Sequence, residues 1–113
     1  MRIVITNHLY CQLKRLKKKY PNVMEDLTKT LKDFNPKNEI HIGGSVYKIR
    51  VKSIDINKGK AGGLRAYIYV CMYNDLVAPL TIYSKSEKEN LSINELRYHF
   101  DKTSFELIRR NLA

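Results

Sequence analysis

The chain has 113 residues, with 21 Lys and Arg against 11 Asp and Glu, a formal charge of +10. That length sustains one domain, residues 1–113, which buries roughly two thirds of the surface of its unfolded chain and leaves no room for a second. The charge points to a polyanion or an acidic protein as partner.

Ile3, Val4 and Ile5 are too short a run for a signal-peptide core, and no later stretch approaches a membrane span. A cytoplasmic protein with no membrane partner is expected. Cys11 and Cys71 form no Cys-x-x-Cys pair, so they read as buried, reduced thiols.

In chain order, residues 2–6 read as a short strand. From Asn7, a candidate N-cap, Leu9, Leu13, Leu16 and Tyr20 fall at helical spacing, while Lys14, Arg15, Lys17, Lys18 and Lys19 fill the outer side. After Pro21, Asn22 and Glu25 have capping-box spacing, and Val23, Leu27, Leu31 and Phe34 form a second apolar stripe that Asn35 and Pro36 stop. Two helices joined this tightly predict an antiparallel hairpin. Strands follow at about 45–52, 64–73 and 76–84, with the glycine-rich stretch to Gly63 between the first two and Asn74-Asp75 as the later turn. Pro79 cannot donate to a ladder, which predicts an edge or a bulge at that point. Ser92 and Glu95, with Leu91 and Leu96 flanking, start a final helix. Thr103 to Glu106 repeats the box, so the tail is one bent helix or two short ones.

The strands carry the chemistry. Side chains two apart in a strand share a face. Lys48, Arg50 and Lys52 therefore stand on one side, and Tyr47, Ile49 and Val51 on the other. Arg65, Tyr67, Tyr69 and Tyr73 alternate in the same way with Leu64, Ala66, Ile68, Val70 and Met72; Thr81, Tyr83 and Lys85 alternate with Leu80 and Ile82. One face is apolar and the other is predicted to present cations and rings to solvent. Cations neutralise phosphate and rings stack on bases, so RNA or DNA is the first ligand class to consider. Any single basic strand is more commonly a solvated face; three neighbouring strands sharing the pattern favour a site.

Other chemistries are poorly supported. His8, His41 and His99 lie on three elements, none with the strand cations, and read as surface or capping residues rather than a ribonuclease pair. Asp55, Asp75 and Asp101 lack paired carboxylates for two metals. Lys60 is followed by Ala61, not Ser or Thr, so the glycine stretch fails as a phosphate-binding P-loop. Neither a metal nor a cofactor is expected.

Three strings, Val46-Tyr47-Lys48-Ile49-Arg50-Val51, Gly59 to Arg65, and Ile82 to Ser92, together with Lys18-Lys19-Tyr20-Pro21 and Asn35-Pro36, resemble the RelE/HigB toxins of bacterial type II toxin-antitoxin systems in order and spacing. The resemblance covers nearly the whole chain. It implies an α+β fold in which an N-terminal strand and helix hairpin pack on one face of an antiparallel sheet, with a C-terminal helix. It also implies an endoribonuclease that cleaves mRNA in the ribosomal A site, with the ribosome, its mRNA and rRNA and a cognate acidic antitoxin as partners. By motif the catalytic cations are Lys48, Arg50, Arg65 and Lys85, and the family's C-terminal Tyr or His has no counterpart in Ser86 to Ser92. Around them, Lys52, Lys58, Lys60, Tyr67, Tyr69, Tyr83 and Lys88 are the expected RNA contacts.

Cleavage by the ribose 2′-OH requires a base, stabilisation of charge on phosphorus, and a proton for the 5′-oxygen. Arg50 and Arg65 suit the phosphate, since a guanidinium holds two oxygens and stays charged. Lys48 among like charges would favour its neutral form and is the expected base. Tyr83 or Lys85 then positions or protonates the leaving oxygen. ParE-like toxins, which share the fold but poison gyrase, and a non-catalytic nucleic-acid-binding module are the alternatives.

Overall fold

The computed structural model describes residues 1–56 and 63–112. Its elements are β1 (Arg2–Ile3), α1 (Asn7–Lys17), α2 (Val23–Lys32), a 3₁₀ turn (Pro36–Asn38), β2 (Ile40–Gly43), β3 (Val46–Val51), β4 (Leu64–Cys71), β5 (Leu76–Ser84) and α3 (Ile93–Arg109). The expected α+β class is present. The sheet order is β1-β5-β4-β3-β2. Its neighbours are antiparallel except β1, which runs parallel to β5 and makes the sheet mixed. Parallel pairing needs a long crossover, and here the whole chain between the two strands supplies it.

One face of the sheet carries the helix pair. Leu9 and Leu13 of α1 and Val23, Leu27 and Leu31 of α2 share a core with Ile49, Val51, Leu64, Ala66, Ile68 and Ile82. The other face is not open, as the strand alternation suggested, because α3 lies over its β4–β5 half. Leu107 joins a cluster with Val4, Leu76 and Ala78, while Leu96 and Phe100 pack against Tyr67, Leu80 and Tyr83. Tyrosine has enough apolar ring to serve as core on a face that also carries charge. Among the described residues, the β3 end of that face stays uncovered.

Local chemistry explains the boundaries. Thr6, not Asn7, caps α1: its Oγ1 accepts the Leu9 N–H at 3.1 Å. The Asn7 N–H instead donates to both Glu106 carboxylate oxygens, at 2.9 and 2.8 Å, which places an anion at the α1 N-terminus and ties α3 to it. Asn22 precedes α2 without a side-chain cap; its backbone and side-chain N–H groups donate to Asp55 at 2.9 and 3.0 Å. Ser92 and Glu95 form the expected box. The tail is one helix, and Thr103 sits buried inside it rather than starting another. Cys71 is half-buried, but Cys11 is exposed on the outer side of α1, contrary to expectation; both are free thiols. No helix among the described residues is long and apolar enough to cross a membrane.

β5 is buried at all nine positions. At Pro79 its register with β4 slips, Tyr67 facing Thr81 and Ile68 facing Pro79, so the expected bulge is present. β1 accompanies β5 only to Val77. Beyond that point the strand edge is completed by a side chain: Gln12 Oε1 accepts the Ile82 N–H at 3.1 Å and the Thr81 hydroxyl at 2.7 Å, and its Nε2 lies 3.5 Å from the Leu80 carbonyl. Gln12→Leu should leave buried polar groups unpaired and lower unfolding free energy by about 2–4 kcal/mol, at roughly 1–3 per group, read as a lower urea midpoint. An unchanged midpoint would show that the edge needs no such partner.

Candidate functional site

Antiparallel register aligns the cations in rows. Lys48 faces Tyr67, and Arg50 faces Arg65, which in turn faces Tyr83. Two arginines directly opposite repel, and an anion bound between them would offset that repulsion. Gly63 sets the entry to β4: its φ is +65°, and a Cβ there would lie 2.9 Å from the Val51 carbonyl oxygen. Its own carbonyl accepts the Lys85 N–H at 3.3 Å, extending the β4–β5 ladder and carrying Lys85 alongside Arg65.

The result is an open cleft of about 440 Å³ lined by Lys48, Arg50, Arg65 and Lys85, with Glu39 and Glu89 at its sides. All four predicted catalytic positions line it. Arg50 is exposed, Lys48 and Lys85 are half-buried, and Arg65 is buried at 7% exposure. Arg65 also has a guanidinium N–H 3.4 Å from the Leu64 carbonyl.

The segment after β5 folds back on this cleft. Lys48 Nζ donates to the Glu89 carbonyl at 3.3 Å and to Asn90 Oδ1. The Tyr83 hydroxyl donates to the same Glu89 carbonyl at 3.4 Å, and the Leu91 N–H reaches the Tyr67 hydroxyl at 3.5 Å. Lys85 Nζ lies 3.8 Å from the Glu89 carboxylate. Burial, the nearby Tyr67 and other contacts push the Tyr83 hydroxyl far up, so it stays a protonated donor. Burial also raises Glu39.

The tyrosines therefore differ from their expected role. Tyr67 and Tyr83 are buried, and Tyr69 is half-buried with its ring centroid 5.9 Å from that of Phe100. Tyr67 and Tyr83 stack on each other with centroids 6.3 Å apart, and Leu91, Leu96 and Phe100 pack against the cluster, so these three rings offer no open stacking platform; α3 was predicted as a helix but not as the cover of this face. Lys52 is exposed just past β3. Lys88 pairs with Glu95, lowering that carboxyl to about 2 together with the cap contacts at Ser92, and it lines a separate cleft between α1 and α3. Lys58 and Lys60 lie outside the described residues.

Histidine spacing in sequence hid one contact. His8 Nε2 of α1 and His99 Nδ1 of α3 lie 2.8 Å apart, joined only by the α1–α3 packing that brings together residues 91 apart. His41 instead packs against Tyr47, with centroids 4.6 Å apart, and its Nε2 lies 2.6 Å from the Gly44 carbonyl. Neither arrangement reaches the cation cleft. Among the described residues, no three His, Cys, Asp or Glu side chains gather as metal ligands.

No family model matches the chain, and no curated relative matches it in sequence. A solved structure does. A doubly substituted mutant of the E. coli toxin RelE, in the free state, superposes with a TM-score of 0.51 over 78% of this chain and 86% of its own, at 14% sequence identity. The chain has a RelE-like fold. In this RelE-like fold, at such low identity, the chemistry must be argued from the cleft itself.

The histidine pair makes stability pH-dependent. Burial first, and His8 second, push His99 down to about 4; burial and Lys102 lower His8, against a raising effect of Glu106. Unfolded histidine titrates near ~6.5, so between that value and about 4 the unfolded chain binds more protons. Stability should be full above about pH 6.5 and fall as pH drops toward 4. Thermal melts at pH 7 and pH 5 should show this fall, and His99→Gln should shrink it; equal pH dependence in the variant would refute the assignment.

Proposed function

We propose that this chain is the toxin of a type II toxin-antitoxin system, a ribosome-dependent mRNA endoribonuclease that acts without a metal. The observation that carries the reading is the convergence of Lys48, Arg50, Arg65 and Lys85 in one open cleft of a RelE-like fold. Four cations among two carboxylates suit a phosphodiester better than any neutral ligand.

In this reading Arg50 and Arg65 face each other across the β3–β4 pair and hold the non-bridging oxygens, which relieves their mutual repulsion. Phosphate binding and charge stabilisation in the transition state then come from the same two groups. Lys48, expected from the sequence to be the base, is a hydrogen-bond donor to Glu89 and Asn90. It fits better as a donor to phosphate or to the departing 5′-oxygen. Attack by the 2′-OH leaves a 2′,3′-cyclic phosphate and a 5′-hydroxyl. The exposed lysines of α1 and the turn after it, Lys14, Lys17, Lys18 and Lys19, offer further contact with rRNA.

A nuclease of this kind needs an inhibitor, and the +10 charge suits an antitoxin rich in Asp and Glu, whose association slows as salt rises.

Purified protein stripped of metal with EDTA, freed of the chelator and then added to translating ribosomes should cut mRNA in the A site, leaving cyclic or 3′-phosphate ends. Products with 3′-hydroxyl ends would refute the mechanism, and poisoning of gyrase without RNA cleavage would refute the function. Arg50→Ala, an exposed change, should leave stability within about 1 kcal/mol yet lower cleavage at least tenfold. Arg65 is buried, so Arg65→Lys rather than Arg65→Ala is the fair test there; full activity in both variants would sink the assignment of phosphate binding.

A further inference from the structure

The cation cleft lacks an assigned base once Lys48 is read as a donor, and the loop after β5 brings a carboxylate to it. We propose that Glu89 is the general base that takes the proton from the ribose 2′-OH, an inference that rests on the ribonuclease reading above.

Three contacts place this residue. Lys48 and Tyr83 both donate to its backbone carbonyl, at 3.3 and 3.4 Å, which fixes the main chain against the floor of the cleft. Lys85 Nζ stands 3.8 Å from its carboxylate, so the side chain turns toward one of the four cations that line the cleft. The carboxylate is itself well exposed, at 73% of its side-chain surface, and thus open to a substrate hydroxyl. Glu39 also lines the cleft, at the entry to β2, but Glu89 is the carboxylate seen against one of the cluster's cations.

The loop's anchors use main-chain atoms and Asn90, not the Glu89 side chain. Attachment through the main chain, with the carboxylate left exposed beside Lys85, is what a catalytic side chain needs. It also assigns a role to buried Tyr83, which acts as a positioning residue through the Glu89 carbonyl.

The step balances in protons and electrons. Glu89 accepts the 2′-OH proton as the 2′-oxygen forms its bond to phosphorus. The bond from phosphorus to the 5′-oxygen breaks, its electron pair stays on that oxygen, and the Lys48 ammonium supplies the proton that makes the 5′-hydroxyl. Protonated Glu89 and neutral Lys48 are then reset by exchange with water. No oxidant, reductant or metal enters.

The test is single-turnover cleavage of A-site mRNA on translating ribosomes by wild type, Glu89→Gln, Glu89→Ala and Glu39→Gln. Glu89→Gln should cut about 10²–10⁴-fold more slowly, as for loss of a general base, with ribosome binding and thermal melting unchanged. The acid-side limb of its pH–rate profile should vanish. Added formate should restore part of the rate to Glu89→Ala, which a merely structural residue would not allow. Cleavage by Glu89→Gln within threefold of wild type, or loss confined to Glu39→Gln, overturns the role of Glu89 alone. A wild-type protein that cuts no RNA overturns the ribonuclease reading, and this inference with it.

Discussion

β4 and β5 are covered on both faces, and most of the molecule follows from that constraint. The α1–α2 layer takes one side. α3 takes the other, but its apolar contacts reach only the β4–β5 half through Leu96, Phe100 and Leu107. Among the described residues nothing covers the β3 side of that face, and charged side chains can stand there without the desolvation they would suffer under a helix. The cleft forms where cover ends. Its floor is open strand, and its wall is the loop that leads from β5 into the covering helix.

Several parts of this arrangement were legible because they depend on local chemistry. The Ser92–Glu95 box, the bulge at Pro79, and the bounds of β3, β4 and β5 to within a few residues each rest on a backbone requirement that few residue types meet. Lys48, Arg50, Arg65 and Lys85 were readable as one group because register and alternation fix which side chains share a face. Depth was not readable. Alternation says that two faces differ, not that one of them is dry, and a tyrosine satisfies either environment; Tyr67 and Tyr83 became core, and buried Arg65 followed them. Gln12 gave no signal because its partner groups are strand-edge atoms 68 to 70 residues away. The His8–His99 contact was hidden for the same reason, and β2 is too short and too exposed to show a hydrophobic pattern.

Opposed arginines, a bulge and a positive-φ glycine all lie within a few residues of the cleft, while the helix-side core is regular. That contrast is the pattern expected when part of a sequence answers to a ligand rather than to folding, and it places the tension of this fold at the β3–β4 entry, with Gly63 holding the backbone close enough for Arg65 to meet Arg50.

β2 closes the far side of the sheet with four exposed residues, and Ile40 and Ile42 show their side chains to water. An apolar edge of this kind invites another chain to extend the sheet. Three features limit the invitation: the strand is short, its pairing with β3 is irregular between His41 and Gly43, and each copy of the molecule carries a large charge of the same sign. Two copies meeting edge to edge would repel before they could align, whereas a strongly acidic chain would be drawn in. The same surplus of lysine that fits the protein to polyanions therefore also acts as its colloidal protection, and neutralising that surplus in a crowded solution exposes the edge to self-association.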